Sequence, residues 1–410
     1  MKNLKGRCVF AQSGGPTAVI NASIAGGLLE ALESEAVTGV LCAHHGIKGV
    51  LDEDFFDISL EDKTELEALK HTPASAFGSV RYKLKNPDTD DTDYRRILEV
   101  FKKYDVRYFF YNGGNDSMDT CDKISKYMQK SGYDVNVIGI PKTIDNDLCG
   151  TDHCPGYGSA AKYIANSIME VNRDADIYFS PLVVVVEIMG RNAGWLTAAS
   201  KLAEKSGYGA DLIYLPEVPF SYDKFLSDVK SVVNKKNHCV VAVSEGIRFA
   251  DGKYVGEDES ATDVFGHSQL GGVCSILKNK VESLGIKCKA VELNILQRCA
   301  AHCASDTDVE ESFNAGRYAV KKAVGGETDK MISFKRVSGK PYEIEYVAEP
   351  LSTCANAEKK IPAEWITSDG TNLTDEFSAY ALPLIFGEPK RRMKDGLPLY
   401  ANLKFVKFKL

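Results

Sequence analysis

The chain has 410 residues, with 50 Lys and Arg against 57 Asp and Glu for a net charge of -7. That balance, spread without long like-charge blocks, argues for solubility and against nucleic acid or an anionic membrane as partner, and the length suits two ordinary domains. Eleven cysteines without a C-x-x-C pair read as reduced thiols rather than a zinc or redox site, and no signal-like or membrane-spanning apolar run is present, so a cytoplasmic location is expected.

Short β-branched runs alternate with amphipathic stretches, the pattern of an α/β fold in which helices cover mainly parallel sheets. The first strand is predicted over 7–12 and opens into Ser13-Gly14-Gly15-Pro16-Thr17 before a helix over 18–33. Glycines there let backbone N–H groups approach an anion at the helix N-terminus, although a plain strand-to-helix turn reads the same way. A strand over 38–43 follows, then a helix over 94–104 and a strand over 106–111. A second glycine turn comes next, Asn112-Gly113-Gly114-Asn115-Asp116-Ser117, opening a helix over 116–130. Asp116 is placed to hold a divalent metal or to cap the helix, and taken alone the cap is the simpler reading.

The strand over 135–140 leads into Pro141-Lys142-Thr143-Ile144-Asp145-Asn146-Asp147. Two carboxylates at i and i+2 beside a lysine crowd one loop with ionisable groups, which is costly unless a metal or substrate uses them. The loop offers a general base, a metal-facing carboxylate and a cation for phosphate oxygens, the inventory of phosphoryl transfer. The bland alternative is an exposed acidic turn. After a helix over 157–171, a strand over 182–188 runs into Met189-Gly190-Arg191, where an arginine past the strand end suits a phosphate. Strands over 211–215 and 238–243 follow, the latter ending at Ser244-Glu245-Gly246, where Glu245 suits sugar hydroxyls or a turn cap. A strand over 288–293 contains Lys289 and precedes Gln297-Arg298; singly, such basic residues are more often solvated surface charges. A helix over 309–323 closes the readable part, and the fold beyond Pro341 shows no clear pattern.

Together and in this order, these segments resemble the phosphofructokinase family, over most of the chain from Cys8 to about Val324. The 141–147 loop and Met189-Gly190-Arg191 are the specific motifs, and the two glycine turns support them by position. The resemblance implies a phosphofructokinase-like fold of two doubly wound domains. Residues 1–155 with about 297–345 would bind the phosphoryl donor, and 156–296 with about 346–410 would bind fructose 6-phosphate. Asp145 would take the proton from the sugar's 1-hydroxyl, Asp147 would help hold the metal-phosphate assembly, and Thr143 would touch the transferring phosphoryl. Gly14, Gly15, Arg81, Gly114, Asn115, Asp116 and Lys142 would bind the donor, with Asp116 on a Mg2+ ion. Met189, Gly190, Arg191, Glu245, Lys289 and Arg298, with Thr143 and Asp145, would bind the sugar phosphate. A homo-oligomer, dimer or tetramer, is expected.

ATP-using members of the family carry glycine at the positions of Asp116 and Lys142, and both residues here match the pyrophosphate-dependent type. A carboxylate at 116 would repel a nucleotide's α-phosphate, while Lys142 would pair with compact pyrophosphate. Unit charges ~4 Å apart interact by roughly 4 kcal/mol at an effective dielectric of about 20, enough to decide between donors. Rival readings are an ATP-dependent phosphofructokinase, an NAD kinase and a catalytically silent sugar-phosphate-binding subunit. Met189-Gly190-Arg191 and Gln297-Arg298 speak against the second, and intact Asp145 and Asp147 against the third. Asn115 stands where the family has an aspartate, and Leu182 and Leu270 where many members have arginines, so His267 beside Leu270 is read as structural. Effector-binding arginines of regulated members correspond to Ala25 and Leu29, so no allosteric control of that kind is expected.

Overall fold

Parallel strands covered on both faces read as unbroken apolar runs, and such runs organise the structure. The computed structural model describes residues 4–262, 268–270, 272–354 and 358–410; His267 lies outside the described residues. The chain begins with β1 (Gly6–Gln12), α1 (Ile20–Leu32), β2 (Val37–Ala43), α2 (Ile47–Leu51), β3 (Phe55–Asp57) and α3 (Lys63–Ala68). It continues through α4 (Thr92–Lys103), β4 (Val106–Gly113), α5 (Asn115–Lys130), β5 (Asn136–Pro141), α6 (Tyr157–Asp176) and β6 (Leu182–Ile188). Then come α7 (Trp195–Ala198), β7 (Leu212–Tyr214), α8 (Tyr222–Lys236), β8 (His238–Ser244), β9 (Glu257–Thr262), β10 (Ser268–Leu270), α9 (Val273–Glu282) and β11 (Lys287–Glu292). The last elements are α10 (Leu296–Cys299), α11 (Asp306–Val324), β12 (Lys330–Gly339), β13 (Tyr342–Pro350), α12 (Leu351–Cys354), α13 (Asp375–Ala381) and the short pair β14 (Met393–Lys394) and β15 (Leu397–Pro398).

Two sheets carry the molecule: a seven-stranded one in the order β13-β12-β5-β4-β1-β2-β3, and a four-stranded one in the order β11-β6-β8-β7. The smaller sheet is wholly parallel. In the larger, only the outermost pairs, β12 with β13 and β2 with β3, are antiparallel. The α/β, mainly parallel architecture is therefore present. Alternate side chains of β1 and β4 enter opposite cores. Val9, Ala11, Phe109 and Tyr111 face α4 and α5, whereas Cys8, Phe10, Tyr108 and Phe110 face α1 and α11. In the smaller sheet Val184 and Val186 face α6, and Val183 and Val185 face α8 and α9.

Because β2 and β4 flank β1 on opposite sides, a crevice opens at the carboxyl ends of β1 and β4, the place where doubly wound sheets take ligands. The same holds around β6, flanked by β8 and β11. α1 and α11 approach so closely that a Cβ on Gly316 would lie 1.8 Å from the Ser23 carbonyl oxygen. α1 starts at Ile20 rather than at 18, since the Val19 N–H is bonded to the Thr17 hydroxyl (3.3 Å) in a turn that delays the helix. Leu182 is buried at the amino end of β6, the end away from the crevice. The C-terminal region, unreadable from sequence, adds β12 and β13 to the larger sheet and packs Phe377 and Ala381 of α13 into the smaller sheet's core. The chain then returns to the larger sheet, where the Phe408 N–H donates to the Phe55 carbonyl at 2.9 Å and that of Asp57 to the Val406 carbonyl at 2.9 Å.

Candidate active site

Loops at the carboxyl ends of both sheets converge on one cavity of about 500 Å³. The first wall is the turn after β1. The Ser13 N–H donates to the Asn112 carbonyl at 2.9 Å, tying that turn to the end of β4. Gly14 takes a positive φ of 78°, a conformation that costs glycine little. α5 starts directly at the second glycine turn, with Gly114 before its first residue and no side-chain cap. The cap reading of Asp116 is thereby corrected: its side chain is exposed on the cavity wall inside the first helical turn.

The floor is the loop after β5. Lys142 is buried, its backbone N–H bonded to the Gly113 carbonyl at 2.9 Å and its Nζ to the Gly15 carbonyl at 2.5 Å, so it joins the two glycine turns. Asn146 has a φ of 55°, the left-handed region that asparagine tolerates better than most residues. That conformation turns its amide away from the cavity. Its Nδ2 donates to the Tyr380 hydroxyl (2.9 Å) and its Oδ1 accepts from the Cys154 N–H (2.9 Å). Asp145 and Asp147 on either side line the cavity. The Asp145 N–H donates to the Thr143 hydroxyl at 3.1 Å, and Asn115 reaches the Asp147 carboxylate at 3.5 Å.

Burial pushes both aspartates above the usual carboxylate range; Glu245 adds to the effect at Asp145, and Asp145 itself adds to it at Asp147. Burial pulls the Lys142 ammonium down to about 8, with Asp145 opposing the shift.

The opposite wall comes from the smaller sheet. Gly190, with φ 127°, lets its N–H donate to Glu245 Oε1 at 3.2 Å, and the Met189 N–H donates to buried Gln297 at 3.3 Å. These bonds lock the loops after β6, β8 and β11 to one another. Burial raises Glu245, while the Gly190 N–H lowers it. Asn192 donates to Glu358 at 2.9 Å and accepts from Arg248 at 2.6 Å. Arg298 on α10 reaches across to the first glycine turn, where a Cβ on Gly15 would lie 3.1 Å from its Nη1.

The cavity thus unites Gly14, Gly15, Arg81, Gly114, Asn115, Asp116, Lys142, Thr143, Asp145, Asp147, Met189, Arg191, Glu245 and Arg298. Gly190 sits just behind its lining. Lys289 is not brought there: in mid-β11 it pairs with Asp174 at 3.1 Å. Strand residues advance ~3.3 Å each, so Lys289 stops well short of the carboxyl end from which Arg298 projects. Tyr82, Lys83, Asp119, Asn192 and Glu358 also line the cavity. Lys83 stands two residues after Arg81 and Asp119 three after Asp116, whereas Glu358 had no local signal.

Five cations, Arg81, Lys83, Lys142, Arg191 and Arg298, face six carboxylates from Asp116, Asp119, Asp145, Asp147, Glu245 and Glu358. This lining can take phosphorylated anions together with a hard divalent cation. Asn115 Oδ1 is buried without a hydrogen-bond partner among the described residues, and the aspartates offer oxygen ligands of the kind Mg2+ takes. Among the described residues, the three possible metal-ligating side chains that do converge tightly are Glu187, Cys274 and Glu292. Asp116, Asp145 and Asp147 thus make an open set, suited to an ion that completes its shell with water and substrate oxygens.

A family model described as phosphofructokinase matches residues 7–320. The chain is 46% identical to a pyrophosphate–fructose 6-phosphate 1-phosphotransferase of Xanthomonas campestris pv. campestris, with 98% of this chain and 97% of that protein covered. It is 45% identical to the protein of the same name from Halomonas elongata, over 96% and 95% of the two chains. The crystal structure of a pyrophosphate-dependent phosphofructokinase from Nitrosospira multiformis superposes with a TM-score of 0.90 at 42% identity, covering 99% and 98%.

Proposed function

Because the chain belongs to the phosphofructokinase family, we propose that it moves a phosphoryl group from pyrophosphate to the 1-hydroxyl of fructose 6-phosphate, giving fructose 1,6-bisphosphate and phosphate. The relatives' names support that reading. One observation carries the choice of donor: the Lys142 ammonium is buried against the Gly14-Gly15 turn, with Asp116 on the same cavity wall. A buried cation is costly without a partner, and a compact dianionic or trianionic phosphate supplies one, while Asp116 repels the longer nucleotide chain.

Asp145 takes the proton as the sugar's hydroxyl oxygen bonds to phosphorus and the bridging P–O bond breaks, releasing phosphate. Its burial-raised proton affinity strengthens it as a base. The Thr143 hydroxyl accepts from the Asp145 N–H, which leaves its own hydrogen for a phosphoryl oxygen. Arg81, Lys142 and the N–H groups of Gly14, Gly15 and Gly114, with Asn115, hold the donor. Met189, Gly190, Arg191, Glu245 and Arg298 orient the sugar phosphate. Asp116, Asp145 and Asp147 would hold Mg2+, which when bound neutralises charge on the transferring and leaving oxygens. The anhydride broken is little richer than the ester formed, so the reaction runs both ways.

The same reading takes 1–155 with about 297–345 as the donor-binding unit and 156–296 with about 346–410 as the sugar-phosphate unit. The membership of the two sheets supports this division except that residues 346–350 belong to β13 of the larger sheet and residues 401–408 pack on that sheet, so both side with the donor unit. Control by an effector at α1 is not part of it, since Ala25 is buried and Leu29 packs against the core. A cytoplasmic homo-oligomer working between sugar breakdown and sugar synthesis completes the reading; no helix among the described residues is long and apolar enough to cross a membrane. The test compares pyrophosphate with ATP for wild type and for the Asp116→Gly, Lys142→Gly double variant. Wild type should use pyrophosphate, and the double variant should gain ATP use. Faster ATP use by wild type would sink the assignment of donor.

A further inference from the structure

We propose that Lys359, from the C-terminal region, is a positioning residue for the catalytic loop; the proposal rests on the role given above to Asp145 and Asp147. The loop leaves β5 at Pro141 and reaches α6 at Tyr157 without regular structure across Asp147–Asp152. Carbonyls in such a stretch have no ladder partner and must be satisfied from elsewhere. Lys359 satisfies three of them. Its backbone N–H donates to the Asp147 carbonyl at 2.7 Å, and its Nζ donates to the carbonyls of Thr151 at 3.2 Å and Asp152 at 2.7 Å. One residue therefore pins the backbone of Asp147 and the stretch that follows it, just beyond Asp145.

Its neighbours fix Lys359 in turn. Glu358 forms an antiparallel bridge with Leu148, its carboxylate accepts from Asn192, and the Lys359 ammonium lies 5.2 Å from the centre of the Trp195 ring. The Lys359 carbonyl accepts from Trp195 Nε1 at 2.8 Å. Tyr380 braces the same loop from beneath, accepting from Asn146 and donating to the Asp152 carbonyl at 2.7 Å. The hydrogen bonds of Lys359 Nζ go to Thr151 and Asp152, so a change at Nζ acts first on the reacting loop, while the Lys359 carbonyl and Glu358 tie the same segment to Trp195 and Asn192 after β6.

The test uses the full chain with Lys359→Met, which keeps the stem and the backbone bond but removes the Nζ donors, and Lys359→Gln, which restores one donor. Displacing a reacting group by an ångström can cost roughly 100-fold, so kcat should fall by about 10- to 100-fold in Lys359→Met, with KM for fructose 6-phosphate within about threefold of wild type. Lys359→Gln should lie between, and it alone carries the test if Lys359→Met does not fold. Amide exchange in peptides covering 144–153 should quicken by about tenfold or more while β4 is unchanged, as expected of a local opening. Loop exchange at the wild-type rate, kcat within about twofold of wild type, or faster exchange spread equally into β4 would each overturn the proposal. A wild type that ignores pyrophosphate would instead sink the proposed function, and the exchange comparison would then decide on Lys359 by itself.

Discussion

Replacing Lys142 by Met should make the ligand-free protein more stable while it destroys pyrophosphate turnover. Lys142 is 3% exposed, and burial lowers its ammonium from 10.5 to about 8. At ~1.4 kcal/mol per tenfold change in proton affinity, keeping that charge in the folded state costs about 3 kcal/mol. The cost is complete below pH 8, where the folded protein still holds the proton, and it fades as pH rises toward 10.5, above which this lysine is uncharged in the folded and the unfolded chain alike. Methionine removes the charge and keeps the stem, losing only the bond to the Gly15 carbonyl, worth about 1 kcal/mol. The net gain of about 2 kcal/mol, spread over an unfolding entropy of ~2.1 cal/mol/K per residue, raises Tm by roughly 2 °C. Differential scanning fluorimetry from neutral to alkaline pH, with and without pyrophosphate, reads all of this. The gain should vanish in alkali, and pyrophosphate should stabilise wild type but not the variant. A Lys142→Met protein that melts below wild type at neutral pH, or one that still consumes pyrophosphate, refutes the reasoning.

Asp145→Ala should lower kcat by ~10²–10⁴-fold and leave KM for fructose 6-phosphate within a few fold, as measured by steady-state kinetics. In wild type, kcat/KM should fall as pH drops through the mildly acidic range, because burial raises Asp145 and its protonated form cannot accept the hydroxyl proton; a rate flat down to the ordinary aspartate range would contradict this. Chelation by EDTA should abolish turnover and added Mg2+ should restore it, whereas Asp116→Asn should raise the Mg2+ concentration needed for half-maximal rate. Gly316→Ala should cost about 2 kcal/mol or more through overpacking, seen as a lower Tm, since its Cβ would sit 1.8 Å from the Ser23 carbonyl oxygen of α1.

The strands β1, β4, β5, β6 and β8 were legible because each is covered on both faces and carries a run of apolar residues to match. The hairpin β12–β13 escaped notice for the opposite reason. Its outer half alternates exposed and half-buried residues, and its sheet partner β5 lies far back in the chain. Much the same contrast governs the cavity. Residues at the carboxyl ends of strands announce themselves by turn chemistry, so the 141–147 loop and Met189-Gly190-Arg191 could be read directly. Glu358, Lys359 and Tyr380 arrive from segments with no local motif, and only three-dimensional closure puts them beneath the loop. Lys289 stays outside the cavity because it stands in mid-β11, and a mid-strand side chain does not reach a site built past the strand's end.

The joining of β5 to β12 bears on how the protein is made. β5 ends at Pro141 and its neighbour begins only at Lys330. A ribosome working at roughly 5–20 residues per second leaves that edge of the nascent sheet unpaired for on the order of 10–40 s. During synthesis the half-built sheet therefore displays an apolar, hydrogen-bond-hungry border to its surroundings, and chaperone capture of ribosome-bound chains should be heaviest in the interval before residue 330 emerges.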